Sequence, residues 1–278
     1  MSYITTQNQY IQVDGKQIAY RELSKGKSAL PLVMLVHLAA TLDQWDPKLL
    51  DLIAQEHHVI VMDLPGAGAS QGKVADTIPG MAQQAMDIIQ ALGYERINLL
   101  GLSMGGMIAQ EIVRLNPSLV HRLILAGTGP RGGFEIDKVT GKTFKFMLKA
   151  ALHRVDPKRY IFYNHDQQGR LEADKVLGRM AQRQASDADK KFRIPSFLVQ
   201  LAAIKRWGKA EQDDLAFINQ PTLIVNGDHD MQVPTENSYD MHNKITGSQL
   251  IIYPQAGHGS IFQYADHFAQ ELKSFLAE

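Results

Sequence analysis

The chain has 278 residues, 45% of them hydrophobic, which is enough to bury a large core in one or two domains. Its 29 Lys and Arg residues balance its 29 Asp and Glu residues, so the total charge favours neither a nucleic-acid partner nor a membrane partner. The lack of cysteine excludes disulfides, a cysteine nucleophile and thiolate metal sites.

The first elements predict a hairpin, because Asp14-Gly15 is a strong turn signal between alternating segments at 10–13 and 17–21. From Leu30 onward, strand and helix patterns alternate, which is typical of a mainly parallel sheet covered by helices on both faces. The further strands are expected near Leu32–His37, Val59–Asp63, Ile97–Leu102, Leu123–Ala126, Leu223–Asn226 and Leu250–Tyr253. The helices between and after them are expected near Pro47–Gln55, Met81–Leu92, Met104–Leu115, Thr235–Lys244 and Ile261–Leu276.

The alternation is interrupted between about Pro130 and Asp214. Helical patterns near Lys142–His153, Leu171–Gln184 and Ser196–Trp207 follow one another there without a strand. This segment is strongly basic: residues 131–209 hold 18 Lys and Arg against 8 Asp and Glu, a net of +10, so the rest of the chain carries −10. Two explanations stay open, namely solvated helix faces attracted to an acidic body, and steering of an anionic substrate. No nucleic-acid recognition motif accompanies the charge.

The most informative motif follows the apolar run at 97–100 and precedes a helical pattern at 107–115. Its sequence is Gly101-Leu102-Ser103-Met104-Gly105-Gly106. A G-x-S-x-G motif at a strand-to-helix turn is the nucleophile elbow. The sharp turn exposes the Ser103 hydroxyl, and the helix N-terminus places free N–H groups beside it, where an oxyanion forms. Ser103 is therefore the predicted nucleophile.

A serine nucleophile needs a base and a group that orients the base. His258 follows the last predicted strand and is the expected base. Two acids, Asp228 and Asp230, follow the predicted strand at 223–226, and their placement alone does not separate them. The chain order Ser, Asp, His, with each residue in a loop after a strand, is the order that accompanies this elbow.

Along nearly its whole length the chain resembles the α/β-hydrolases. It is similar in particular to non-haem haloperoxidases, enol-lactonases and small carboxylesterases. The matching segments are the elbow, the turn at Asp63–Ser70, the run at 123–128, Gly227-x-x-Asp230-x-x-Val233-Pro234 and Gly257-His258-Gly259. The resemblance implies the α/β-hydrolase fold and a Ser103, Asp230, His258 triad, with Asp228 as a turn or capping residue.

The resemblance also implies how the chain is divided. Residues 1–129 and 215–278 are expected to form the core domain, and residues 130–214, inserted after the sixth main strand, a helical cap over the site. We use the terms body and cap for these two parts.

The resemblance further assigns the oxyanion donors, which are the backbone N–H of Met104 and, for the second, that of Ala39. The segment His37-Leu38-Ala39 departs from the usual His-Gly-x pattern. Leu38 lacks the easy access of glycine to positive φ, so the path of this loop is an open question. His37 is expected to support the loop rather than to catalyse.

These residues predict a serine hydrolase that cleaves a small carboxylic ester or lactone through an acyl-enzyme, with no cofactor and no metal site. The alternatives are a cofactor-free haloperoxidase or perhydrolase, a C–C bond hydrolase and a non-catalytic ligand-binding receptor. The missing Gly-rich oxyanion loop disfavours the C–C bond hydrolase. The start of the chain lacks a signal-peptide pattern, so we expect a cytoplasmic protein. We expect the protein to be a monomer or a homodimer.

Overall fold

The computed structural model describes residues 2–183 and 188–277. The strands in these ranges are β1 Gln9–Val13, β2 Lys16–Leu23, β3 Leu32–Leu35, β4 Val59–Met62, β5 Ile97–Leu102, β6 Val120–Ala126, β7 Thr222–Gly227 and β8 Gln249–Tyr253. They form one sheet in the order β1-β2-β4-β3-β5-β6-β7-β8. The predicted hairpin is β1 and β2, which pair antiparallel, and β2 pairs antiparallel with β4. Every other pairing is parallel.

The helices over the same ranges are α1 Pro47–Ala54, α2 Ile78–Ala91, α3 Met104–Leu115, α4 Val139–His153, α5 Lys158–Ile161, α6 Gln167–Met180, α7 Ile194–Lys209, α8 Glu236–Lys244, α9 Ser260–Gln263 and α10 Ala265–Ala277. Helix α2 begins three residues before its predicted start because the Thr77 side chain accepts the Gly80 N–H and a proline occupies the first turn. No helix among the described residues has the length and apolarity needed to cross a bilayer.

Apolar side chains fill both faces of the sheet, which confirms the predicted α/β architecture. On one face, α2 and α3 contribute residues such as Met81 and Ile108. On the other, α1 and α10 contribute residues such as Leu49 and Phe268. The central strands are buried on both faces, as expected for a parallel sheet that lies between two helical layers.

Between β6 and β7 the described residues contain helices and no strand. The three helices predicted there correspond to α4, α6 and α7 with shifted ends, and the short α5 was not predicted. Gln184, the last residue of the predicted helix at 171–184, lies outside the described residues. The helix predicted over 261–276 is divided at Tyr264 into α9 and α10.

Ion pairs join the basic cap to the acidic body. Arg179 on α6 binds the carboxylate of Asp46 with two bonds, Nε to Oδ1 at 2.8 Å and Nη2 to Oδ2 at 2.6 Å, and Asp46 is fully buried. Arg131 similarly lies 2.7 Å from the buried Glu111 on α3. Part of the positive charge of the cap is therefore neutralised by acidic residues of the body. This agrees with the explanation in which the basic cap is attracted to an acidic body.

Candidate active site

Ser103 stands at the junction of β5 and α3. Its backbone has φ 58° and ψ −119°, a conformation that residues other than glycine rarely adopt. Such a backbone costs about 1–3 kcal/mol and persists only where its surroundings hold it. Two hydrogen bonds do so here. The Ser103 N–H donates to the Ala126 carbonyl at 2.8 Å, and the Thr128 hydroxyl donates to the Ser103 carbonyl at 2.7 Å.

The glycines of the elbow are required by close backbone approach. A Cβ on Gly101 would overlap the carbonyl of Gly105, and a Cβ on Gly105 would overlap the carbonyl of Leu35 on β3. The first turn of α3 therefore passes the strands with no room for a side chain at either position. This close packing places the N-terminus of α3 at the carboxyl end of β5, beside Ser103.

The structure brings the three predicted side chains together in a buried chain of hydrogen bonds. We call Asp230, His258 and Ser103 the relay. His258 Nδ1 lies 2.7 Å from Asp230 Oδ2, and His258 Nε2 lies 2.9 Å from Ser103 Oγ. A carboxylate only accepts hydrogen bonds, so the proton of a neutral ring is on Nδ1 and Nε2 accepts from the serine hydroxyl. The histidine is thus oriented to take a proton from Ser103.

The two acids after β7 have different surroundings. Asp230 is buried, and its Oδ1 accepts the N–H groups of Gln232 at 2.8 Å and Val233 at 2.9 Å, which leaves Oδ2 for His258. Asp228 is directed toward His229, whose Nδ1 lies 2.6 Å from its Oδ1. Partial burial acts to raise the pKa of Asp228, but the His229 ring and two backbone amides outweigh it and hold the pKa below its ordinary value.

The two predicted oxyanion donors are not equally available. Met104 is the first residue of α3, so its N–H has no acceptor within the helix. The Ala39 N–H, in contrast, donates to the Oε1 of Gln200 on α7 at 2.8 Å. Ala39 itself adopts the left-handed conformation, with φ 57°, whereas Leu38 does not. The loop therefore avoids positive φ at Leu38, and Gln200 must move before Ala39 can bind an oxyanion.

We expect replacement of Gln200 by alanine to raise the rate of fluorophosphonate labelling, because the Ala39 N–H loses its competing acceptor. One hydrogen bond of this kind corresponds to an increase of roughly threefold to tenfold. Gln200→Glu, whose carboxylate accepts more strongly, should slow labelling instead. The labelling rate and the melting temperature are measured together. A loss of labelling in both variants would mean that Gln200 holds the loop in place and does not mask the donor.

The His37 side chain is buried beside the loop that carries Ala39. Burial lowers the pKa of His37 to about 3, the hydrogen bond to the Leu38 carbonyl opposes this, and the nearby Lys158 and His258 lower it further. The ring is therefore neutral around pH 7, and its Nδ1 lies 2.9 Å from the Leu38 carbonyl. This contact fits the expected role in supporting the loop.

Phe162, a cap residue directly after α5, contacts the site and was not predicted. Its ring centroid lies 5.1 Å from that of His258 and 4.7 Å from that of His37, edge to face in both cases. Its carbonyl accepts the Gly259 N–H at 2.8 Å. The cap thus packs directly against the histidine of the relay. No local pattern around Phe162 signals this, because the contact depends on how the cap folds back.

Ser103 and His258 line a cavity of about 780 Å³ between body and cap. Apolar side chains from both parts form much of its wall, among them Met107, Val139 and Phe197. Three exposed cations of the cap, at positions 190, 191 and 193, also line it. The cavity is large enough for a substrate well beyond the size of an acetate ester.

Comparisons with known proteins agree with this architecture. A family model described as the α/β hydrolase fold matches residues 31–264. The chain is 28% identical to a 2-hydroxy-6-oxo-6-phenylhexa-2,4-dienoate hydrolase of Burkholderia cepacia over 232 residues, 81% of this chain and 79% of that protein. An α/β hydrolase fold protein from Chitinophaga pinensis superposes with a TM-score of 0.91, at 30% identity over 99% of both chains.

An enol-lactonase from Burkholderia xenovorans superposes with a TM-score of 0.74, covering 97% of this chain and all of that one. Its 20% identity makes it evidence of the shared fold alone. The resemblance to α/β-hydrolases and the predicted fold are confirmed.

Proposed function

This chain is a hydrolase that belongs to the α/β hydrolase fold family, and from that premise we propose that it cleaves small carboxylic esters or lactones with Ser103 as nucleophile. The observation that carries the proposal is the continuous relay from Asp230 through His258 to the Ser103 hydroxyl, at 2.7 Å and 2.9 Å. A relay of this geometry activates a serine for acyl transfer.

In the proposed reaction, His258 Nε2 removes the Ser103 proton as Oγ attacks the substrate carbonyl. The negative charge that develops on the carbonyl oxygen is bound by the Met104 N–H and, once Gln200 has moved, by the Ala39 N–H. Asp230 stabilises the imidazolium that forms. His258 then donates its proton to the leaving alcohol, and the acyl group stays on Ser103.

Deacylation uses the same groups in the reverse direction. His258 removes a proton from water, the hydroxide attacks the acyl carbonyl, and the Ser103 oxygen leaves with the proton. In a lactone the leaving alcohol remains attached to the acyl group, so ring opening and release give a hydroxy acid.

Hydrolysis of a C–C bond is the second candidate, because the relative of Burkholderia cepacia carries the name of a hydroxy-oxo-dienoate hydrolase. Such a substrate bears a carboxylate, and the exposed cations Lys190, Lys191 and Arg193 line the same cavity. The segment His37-Leu38-Ala39 disfavours this candidate, because it lacks the glycine-rich loop expected for that chemistry.

A substrate panel separates the two candidates. The wild-type chain is assayed with p-nitrophenyl esters of graded acyl length, with lactones of graded ring size, and with a 2-hydroxy-6-oxo-dienoate. We expect ester and lactone turnover, with a burst of p-nitrophenol equal to the enzyme concentration wherever deacylation is slow.

The control is Asp228→Asn, which leaves the three relay side chains intact and should retain the same substrate ranking. Cleavage of the dienoate without ester turnover would favour the second candidate over the first. If no substrate of the panel is turned over while small ligands still raise the melting temperature, the receptor alternative replaces both.

A further inference from the structure

The outer face of the cap exposes large apolar side chains. On α4, Phe144, Leu148 and Leu152 follow one another at four-residue spacing, and the two leucines are 64% and 75% exposed. On α7, Ile194 and Leu198 repeat the same spacing, and Ile194 is 73% exposed. Residues four apart on a helix share a face, so each helix presents an apolar stripe to solvent.

These stripes are separate from the core-facing sides of the two helices. The inward side of α4 is formed by buried residues such as Phe146, and that of α7 by buried residues such as Leu201. The rings of Phe144 and Phe197 lie 6.1 Å apart, so α4 and α7 meet beside the stripes. The result is one apolar patch on a pair of neighbouring helices, a feature that typically marks an interaction site.

The charge on the two helices that carry the patch has a single sign. Neither α4 nor α7 contains an acidic residue. Five exposed cations border the patch and make no ion pair within the described ranges; they are Lys145, Lys190, Lys191, Arg193 and Lys205. Apolar side chains beside unpaired Lys and Arg are the combination with which amphipathic helices bind anionic lipid.

We propose that this face of the cap, formed by α4, α7 and residues 190–193, docks on an anionic lipid surface. Its apolar side chains enter the boundary between headgroups and acyl chains, and its cations contact the lipid phosphates. The total charge of the chain is balanced and by itself favours no membrane partner. However, the charges are unevenly distributed, with a net of +10 on residues 131–209 and −10 on the rest of the chain.

The position of the cavity adds to the proposal. Ile194, Lys190 and Arg193 belong to the exposed face and also line the cavity that holds Ser103. Docking would therefore bring this side of the cavity to the lipid. The docking itself does not depend on the proposed hydrolysis and can be tested without a substrate.

A second copy of the chain is a poorer occupant. In a symmetric dimer the same patch meets itself, which would bring the cations of α4 and α7 from both copies together, and neither helix has an acidic residue to pair with them. An anionic lipid surface instead offers apolar contact and the opposite charge together.

The test is co-sedimentation of the full chain with sucrose-loaded vesicles of phosphatidylcholine, with and without phosphatidylglycerol, at low and high salt. We expect binding to the anionic vesicles, weakened by salt and weak on phosphatidylcholine alone. The double variant Leu148→Glu with Leu152→Glu should lose at least about tenfold in affinity. Lys190→Gln with Lys191→Gln, outside any helix, should weaken binding without affecting the fold.

The matched control is Leu115→Glu, which changes a leucine of the body that is 50% exposed and should bind like the wild type. Melting temperatures identify any variant that fails to fold. The proposal is overturned if anionic vesicles are not bound, if Leu115→Glu is as harmful as the cap variant, or if only the lysine variant matters. It is also overturned if light scattering shows a dimer that the cap variant dissociates, because the face would then join two copies.

Discussion

Replacing Ser103 by alanine is expected to lower kcat for a p-nitrophenyl ester by about 10⁶-fold, the scale of loss seen when a serine nucleophile is removed. The hydroxyl oxygen is the atom that His258 Nε2 contacts at 2.9 Å, and the proposed acyl bond forms on that oxygen, so the alanine variant lacks the group that accepts the acyl chain. A fluorophosphonate probe should add its mass to the peptide that contains Ser103 in the wild type and to no peptide in the variant.

The matched control is Ser238→Ala, which removes a buried hydroxyl that makes no hydrogen bond to any described residue. It should keep wild-type kcat and wild-type labelling. Probe mass on a different residue, or ester turnover retained by the Ser103 variant, would contradict the assignment of the nucleophile.

Replacing Asp230 by asparagine is expected to lower kcat by about 10⁴-fold. The Asp230 Oδ1 accepts two backbone N–H groups, so an asparagine keeps its oxygen there and turns its NH₂ toward His258. The histidine then has to present its Nδ1 lone pair and carry its proton on Nε2. In that tautomer it cannot accept the proton of Ser103.

Asp228→Asn is the companion variant and should keep kcat within about tenfold of the wild type, because Asp228 contacts His229 and the Ala256 N–H rather than His258. Both variants are assayed for kcat on the same ester and for melting temperature. If Asp228→Asn were the more damaging of the two at unchanged stability, the orienting role would belong to Asp228.

The elements that the sequence predicted well are those with a local signature. Apolar runs bounded by turn residues placed the strands, and the glycine pattern around Ser103 placed the strand-to-helix turn. Each of these signals arises within about ten neighbouring residues, from side-chain periodicity and from backbone conformations that few residues adopt. The single helix predicted over 261–276 was wrong, because the apolar pattern continues through Tyr264, where the structure divides it into α9 and α10.

The sequence by itself determined the α/β architecture, the strand-to-helix turn at Ser103 and the chain order of serine, acid and histidine. The tertiary structure decided which groups surround them. It brought the side-chain oxygen of Gln200 to the N–H of Ala39, which is 161 positions away along the chain. It also packed the Phe162 ring against the His258 ring. It also decided which apolar residues of the cap remain exposed. Periodicity and turn chemistry act between neighbours in the chain, whereas these contacts depend on how distant segments pack, and no local pattern encodes that.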